Sequence, residues 1–203
     1  WLATNGGYDA VHVTLQALLT PGALVAVEDP TAMRLLDLLD AAGATPLPVA
    51  CDAEGPLPDE LAAALARRPA AFLFQPRTHA VTGHIVTAAR MAALEQALHG
   101  HDTLVIEDDG LGDLSAAPPA SLGAAMPGRV VHIRSFSKSL GPDLRLAVLS
   151  APPETATAIL SPRVRAYGAM ASAKPAESIA PLSESDGARG ADLTFATGRP
   201  EGL

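Results

Sequence analysis

Short apolar runs of strand length alternate along this chain with segments whose apolar residues recur at helical spacing. That alternation restricts the fold more than any other property. Val11, Leu15, Leu18 and Leu19 keep a helical period from Gly7 to Leu19, and Pro21-Gly22 ends it. Leu24 to Val27 then reads as a strand. Thr31 is placed to cap a helix carrying Leu35, Leu36, Leu38 and Leu39, ending near Gly43. Further helices are expected over Pro58 to Arg67 and roughly Val86 to Leu98. Strands are expected at Thr45 to Val49, with prolines suited to an edge, and at Ala70 to Phe74. Others fall at Thr103 to Glu107, Arg129 to Arg134 and Leu144 to Leu149. Most of these strands are continuously apolar, so both faces must be covered. The fold class is therefore α/β, a mostly parallel sheet flanked by helices, with no internal repeat.

In open parallel sheets ligands sit beyond the carboxyl ends of the strands. Three polar segments follow strand ends here: the loop after Phe74, the acidic run Glu107-Asp108-Asp109, and the turn Ser135 to Lys138. They are expected to meet at one edge. The third holds Lys138, one of two lysines (the other is Lys174) in a chain with twelve arginines. Arginine stays protonated and is a poor nucleophile, whereas a desolvated lysine can lose its proton and attack a carbonyl. A lysine at the end of a buried strand points to Schiff-base chemistry.

Ser135-x-Ser137-Lys138 with Arg145 is the most specific pattern. Two hydroxyls and a guanidinium can hold a phosphate, with the amine between them; the plain alternative is a polar turn carrying a solvated lysine. Asp108 is a candidate to face a pyridinium nitrogen and keep it protonated. At ~4 Å such a pair gains about 4 kcal/mol at an effective dielectric near 20, against about 1 in water, so a partly dry site is required. A strand-terminal acidic turn or helix cap is the alternative; Asp108 is favoured as the inward group, with Glu107 or Asp109 in its place as the other reading. Thr4-Asn5-Gly6-Gly7-Tyr8 opens the first helix, where exposed amides attract a phosphate, although a Gly-rich cap is common. The histidines show no metal-ligand spacing, and no dinucleotide-binding or nucleophile-elbow motif is present.

A net charge of −8 argues against a nucleic-acid surface on this segment. One cysteine, Cys51, leaves no internal disulfide and fits a reducing compartment. No apolar run reaches about 18 residues and no signal peptide is visible, so no membrane span and a cytoplasmic location are expected. A start at Trp1 with structure following at once suggests a piece of a longer polypeptide. From about Ala171 the chain is rich in Ala, Ser, Gly, Pro and Glu, and 171–203 is expected to be a disordered, low-complexity tail.

From about Leu2 to Pro153 the ordered motifs resemble fold-type I pyridoxal-phosphate enzymes of the aminotransferase class I/II family, and in particular the aminotransferase-like domain of MocR-type regulators of the GntR superfamily. The resemblance is carried by Thr4 to Gly6, Pro21-Gly22, Val27-Glu28-Asp29-Pro30, Cys51-Asp52 and Gly55-Pro56. It continues through Gln75-Pro76-Arg77-x-His79-x-x-Thr82-Gly83, Ile106 to Asp109, Ser135 to Lys138 and Leu144-Arg145-Leu146. It implies a PLP-dependent transferase-like large domain over 1–170, with the family's small C-terminal domain missing. It implies pyridoxal 5'-phosphate (PLP) as cofactor, linked to Lys138 as a Schiff base. Asp108 would pair with the pyridine nitrogen; Gly6, Gly7, Tyr8, Ser135, Ser137 and Arg145 would hold the phosphate.

Three positions depart from the family pattern. Ala32 stands where an aromatic residue stacks on the cofactor ring, Ala80 where an asparagine bonds its phenolic oxygen, and Gly110 where a tyrosine is frequent. Each loss should weaken binding by roughly 1 kcal/mol. Two functions compete: amino-group transfer between an amino acid and a 2-oxo acid, or non-catalytic sensing of PLP or an amino acid for a GntR/MocR-type regulator, whose DNA-binding module would lie outside this chain. A remnant that binds nothing is the third reading. Homodimerisation is implied by the resemblance alone.

Overall fold

The apolar runs form the middle of one eight-stranded sheet. The computed structural model describes residues 1–141 and 143–161. In chain order the elements are β1 (Leu2–Thr4), α1 (Gly7–Leu18), β2 (Leu24–Asp29), α2 (Met33–Ala41), β3 (Thr45–Asp52) and β4 (Gly55–Pro56). Then follow α3 (Pro58–Leu65), β5 (Ala71–Phe74), α4 (Ala88–Leu98), β6 (Leu104–Asp109), β7 (Val130–Ser135) and β8 (Ala147–Ser150). Strand order across the sheet is β1-β8-β7-β6-β5-β2-β3-β4. Every pairing from β7 through β6, β5 and β2 to β3 is parallel. β8 runs antiparallel to both β7 and β1, and the short β4 runs antiparallel to β3. The mostly parallel sheet expected from the sequence is the one observed.

The pleat divides the core in two. Val25, Val27, Leu73, Ile106, Val131 and Ile133 face one side, under Ala10, Val11 and Leu15 of α1 and Leu35, Leu38 and Leu39 of α2. Ala26, Phe72, Phe74, Val105 and Val130 face the other, under Leu61 and Leu65 of α3 and Met91, Leu94 and Leu98 of α4. Alternate residues of each strand thus pack against different helices, which is why the strands read as unbroken apolar runs. Local chemistry sets the helix starts. Thr87 accepts from the Arg90 amide at 3.1 Å and caps α4, and Pro58 occupies the first turn of α3.

Two local expectations need correction, and two short strands were not expected. Thr31 does not cap α2; the capping position is Ala32, and the Thr31 hydroxyl is buried without a partner. β8 begins at Ala147 rather than Leu144, because Leu144 to Leu146 turn on themselves, with the Leu146 amide donating to the Leu144 carbonyl at 2.9 Å. β1 and β4, three and two residues long, are too short to show a period. β4 is held from outside: Arg90 donates to the Gly55 and Pro56 carbonyls, each at 2.9 Å, and to Asp52 at 3.0 Å. The tail expected over 171–203 lies outside the described residues. Among the described residues no helix is long and apolar enough to cross a membrane.

Phe72 and Phe74 have no exposed surface and their rings stack at 4.9 Å in the middle of the α3–α4 layer. Phe72→Ala should cost about 3–5 kcal/mol in urea unfolding, through lost transfer energy and the cavity left behind. Met33→Ala, at a residue 77% exposed, should cost under about 0.5 kcal/mol. Equal losses at the two positions would contradict this core.

Candidate functional site

The parallel strands β2, β5, β6 and β7 all end at one edge, and the pleat decides which residues rise there. Ile106 packs on the α1 side and Val105 on the α4 side. Continuing the alternation, Asp108 falls on the α1 side, and Glu107 and Asp109 on the other. Ser135, two residues after Ile133, ends β7 on the α1 side, and Gln75 follows Leu73 by two in the same sense. Gln75, Asp108 and Ser135 therefore stand at three neighbouring strand ends under the start of α1. They line a cleft of about 480 Å³, together with Gly7, Tyr8, Ser137, Lys138 and Arg145.

One end of the cleft is a cradle of donors. Gly6 has φ 90°, in the left-handed region that favours glycine. A Cβ added there would lie 3.2 Å from Arg145 Nη2 and 3.5 Å from Ser137 Oγ. A Cβ at Gly7 would lie 3.1 Å from that of Ser135. The two glycines thus let the helix start approach the Ser135–Ser137 turn and the guanidinium directly. The Gly6 amide is committed to the Thr4 carbonyl at 2.9 Å. Those of Gly7 and Tyr8 lie in the first turn of α1, where a helix offers no acceptor. Ser135 and Ser137 are buried; Ser137 Oγ donates to the Leu144 carbonyl at 3.1 Å, and Ser135 Oγ accepts from the Ser137 amide at 3.4 Å.

Lys138 lines the same cleft but is exposed, and this corrects the expectation of a desolvated amine. The apolar environment of β7 ends at Ser135, and in the turn that follows both Lys138 and Leu140 are exposed. Its amine makes no hydrogen bond or ion pair among the described residues.

The three consecutive carboxylates meet different environments. Glu107 is fully buried and accepts from the Leu122 amide at 2.7 Å and from His132 Nδ1 at 2.8 Å. Asp109 is gripped by the Arg77 guanidinium, with Nε at 2.9 and 3.0 Å from its two oxygens, and lies 3.6 Å from His132 Nε2. Gly112 has no room for a side chain because that pair occupies the space. Burial alone would lower the His132 imidazole, but pairing with Asp109 and Glu107 pushes it up to about 9. Burial alone would raise Asp109, but His132 and Arg77 hold it below the usual range. Asp108 has one donor among the described residues, Gln75 Nε2 at 2.9 Å. Burial pushes its carboxyl up to about 6, against the pull of that single bond.

Ala32, Ala80 and Gly110 all line the cleft, so the three departures fall together on its wall. A Cβ at Gly110 would lie 3.1 Å from Asp108 Oδ1. Sequence reasoning assigned no role to Arg34, whose guanidinium stands 5.2 Å over the Tyr8 ring at the cleft wall; its place in the first turn of α2 gave no signal beyond a solvated charge. The loop after β5 was expected at this edge, but no role was assigned to the cluster it forms there: buried Glu28 faces His84 at 3.3 Å and His79 at 3.6 Å, the two rings stacked at 4.5 Å. Burial raises Glu28 above the usual carboxylate range and pushes His79 down to about 4. The clustering of two histidines and a glutamine directly after a buried strand was the available signal. Among the described residues no group of three or more His, Cys, Asp or Glu could hold a metal ion.

A parallel sheet with an amine, a carboxylate and an anion cradle at its carboxyl edge is the plan of a fold-type I aminotransferase domain. The family model for aminotransferase class I and II matches residues 2–184, and the chain belongs to that family. Its curated relatives include regulators of the MocR/GntR type. It is 40% identical over 153 residues to the vitamin B6 salvage pathway transcriptional repressor PtsJ of Salmonella typhimurium, covering 75% of this chain and 36% of that one. It is 35% identical over 154 residues to the HTH-type transcriptional regulator TauR of Rhodobacter capsulatus, covering 74% and 31%. Among solved structures, LysN, the α-aminoadipate aminotransferase of Thermus thermophilus complexed with N-(5'-phosphopyridoxyl)-L-leucine, superposes with a TM-score of 0.75 at 28% identity, covering 81% of this chain and 44% of that one. The chain thus spans about a third of the length of those curated relatives.

The under-compensated carboxylate yields a stability test. A carboxyl raised in the folded state favours folding below its unfolded value near 3.8, and that contribution is lost as pH rises through about 6. Asp108→Asn should therefore stabilise the cofactor-free chain by about 1–2 kcal/mol at pH 7.5, a figure below full linkage because the residue is only half-buried. The gain should vanish toward pH 4 in thermal melts. A variant less stable than wild type at pH 7.5 would contradict the assignment.

Proposed function

We propose that this chain is a PLP-binding domain on the aminotransferase plan, and that it serves as the ligand-sensing part of a transcription regulator. The observation that carries the reading is the convergence in one cleft of three groups: an amine without a partner and a carboxylate with one donor among the described residues, and a cradle of hydrogen-bond donors at the start of α1. Each group fits a different part of the cofactor. Lys138 is the amine that would condense with its aldehyde. The amides of Gly7 and Tyr8, the Ser135 hydroxyl and the Arg145 guanidinium would hold its phosphate, joined by the Ser137 hydroxyl once it turns from the Leu144 carbonyl and aided by the positive end of α1. Asp108 would face the pyridine nitrogen and hold a proton there. When bound, PLP supplies an electron sink that eases loss of the α-proton of an amino acid.

For amino-group transfer between an amino acid and a 2-oxo acid, Lys138 would also have to move that proton as a general base. Ala32 and Ala80 offer the ring neither stacking nor a side-chain hydrogen bond, and Gly110 adds no side chain. Binding could survive these losses, since covalent attachment and phosphate anchoring are separate from them. Efficient turnover fits them less well. The similarity to PtsJ and TauR favours the sensing role over turnover, with DNA contacted through a module outside this sequence. The exposure of Lys138 suits a cleft covered by a second copy, in line with the homodimers the family resemblance implies.

The test is an absorbance titration with PLP. Wild type should develop a band near the visible that Lys138→Ala lacks, and adding an amino acid should change the band without release of oxo acid. Absence of the band in wild type overturns PLP binding; steady oxo-acid production replaces the sensing role with the enzyme.

A further inference from the structure

We infer that Gln75 is a positioning residue that holds Asp108 with one oxygen anchored and the other turned to the cleft. The inference rests on the reading of Asp108 as the partner of the pyridine nitrogen, and deepens it.

Three contacts immobilise Gln75, which is 3% exposed. Its backbone amide donates to Glu28 Oε2 at 2.8 Å. Its side-chain Oε1 accepts from the Ala80 amide at 2.8 Å. Its Nε2 donates to Asp108 Oδ2 at 2.9 Å. The middle contact settles the orientation of the amide. A backbone N–H can only donate, so the atom facing Ala80 must be the oxygen and the atom facing Asp108 the nitrogen. A flipped amide would set oxygen against carboxylate and N–H against N–H, losing both bonds.

The two oxygens of Asp108 are thereby made unequal. Oδ2 is held by Gln75. Oδ1 is the oxygen near the cleft glycines, 3.1 Å from where a Gly110 Cβ would stand and 3.9 Å from that of Gly7. Around this carboxyl stand Asp109 and His132 on the far face of the sheet, and Glu28 at the base of the Gln75 loop. None of these three reaches it by a hydrogen bond, so among the described residues Gln75 makes the one directional contact that orients this carboxyl. The loop from Gln75 to His84 is in turn secured to β2 through Glu28, His79 and His84. A loop that carried the family's asparagine at position 80 would bond the cofactor directly. Here the backbone of Ala80 bonds Gln75 instead, so the loop acts on the cleft through Asp108.

The experiment uses the 203-residue chain and two near-isosteric variants, Gln75→Met and Gln75→Glu. Asp108 is followed by carbon NMR of its carboxyl against pH in the cofactor-free protein, and PLP affinity by absorbance at pH 7.5. Removing a donor that favours the charged form should raise the Asp108 midpoint by about one pH unit in Gln75→Met. The added like charge in Gln75→Glu should raise it further. PLP affinity should fall about tenfold in Gln75→Met and more in Gln75→Glu. Circular-dichroism melts show whether each variant folds, and the affinity is compared for the folded protein. An unchanged Asp108 midpoint overturns the inference, whatever happens to PLP. So does an unchanged PLP affinity in a folded variant with wild-type binding intact, and so does a lowered melting temperature with both readouts unmoved, which would leave Gln75 merely structural. Failure of wild type to bind PLP while the midpoint still shifts sinks the cofactor reading alone, and leaves the hold of Gln75 on Asp108 supported.

Discussion

The pleat of β6 governs the site. Three acidic residues in succession, Glu107, Asp108 and Asp109, end a central strand, and burying three carboxylates on one face would be prohibitive. A strand cannot do so: alternate side chains leave on opposite faces. Two carboxylates go to the α4 side, where His132, Arg77 and the Leu122 amide neutralise and bond them. The third goes to the α1 side, where one amide nitrogen meets it. Removing one partner from a buried ion pair leaves an uncompensated charge and costs several kcal/mol. The paired carboxylates therefore stabilise the strand ends, whereas Asp108 is kept at a cost that suits a ligand-facing group.

That division makes the fold and the site a single construction. Arg77, two residues beyond Gln75 in the loop after β5, grips Asp109, and His132 on β7 lies against both Glu107 and Asp109. Three neighbouring strand ends are locked in register on the face away from the cleft. On the cleft face the same register sets Gln75, Asp108 and Ser135 side by side. Gly6 and Gly7 then allow α1 to descend onto Ser135, Ser137 and Arg145 without a side chain between.

Much of this was legible in the sequence, for identifiable reasons. Strands buried on both faces carry unbroken apolar runs, so β2, β5 and β6 stand out by length and composition. The scarcity of lysine drew attention to Lys138, and its place in the cleft agrees. Its exposure does not, because the apolarity of β7 stops at Ser135 and says nothing about the turn beyond. The sequence favours Asp108 as the inward carboxylate without fixing it, since register against β5 and β7 decides which of the three faces the cleft. Two-residue β4 has no period to read, and Thr31 was a capable cap beside a helix that begins without one. Gln75 stood out only as part of a motif. Its role depends on three partners, Glu28, Ala80 and Asp108, scattered over eighty residues, and only the fold brings them together.

On the proposed reading, Lys138 is the one amine that would meet an aldehyde held in this cleft. With only two lysines in the chain, the claim can be tested without ambiguity by borohydride trapping. The protein is incubated with PLP near stoichiometry, reduced, digested, and its peptides mapped by mass spectrometry. A single phosphopyridoxyl adduct on Lys138 is expected, suppressed in Asp108→Ala and Arg145→Ala. Equal labelling of Lys138 and Lys174, or labelling of Lys138 indifferent to those two substitutions, would mean that the amine reacts as an ordinary surface lysine.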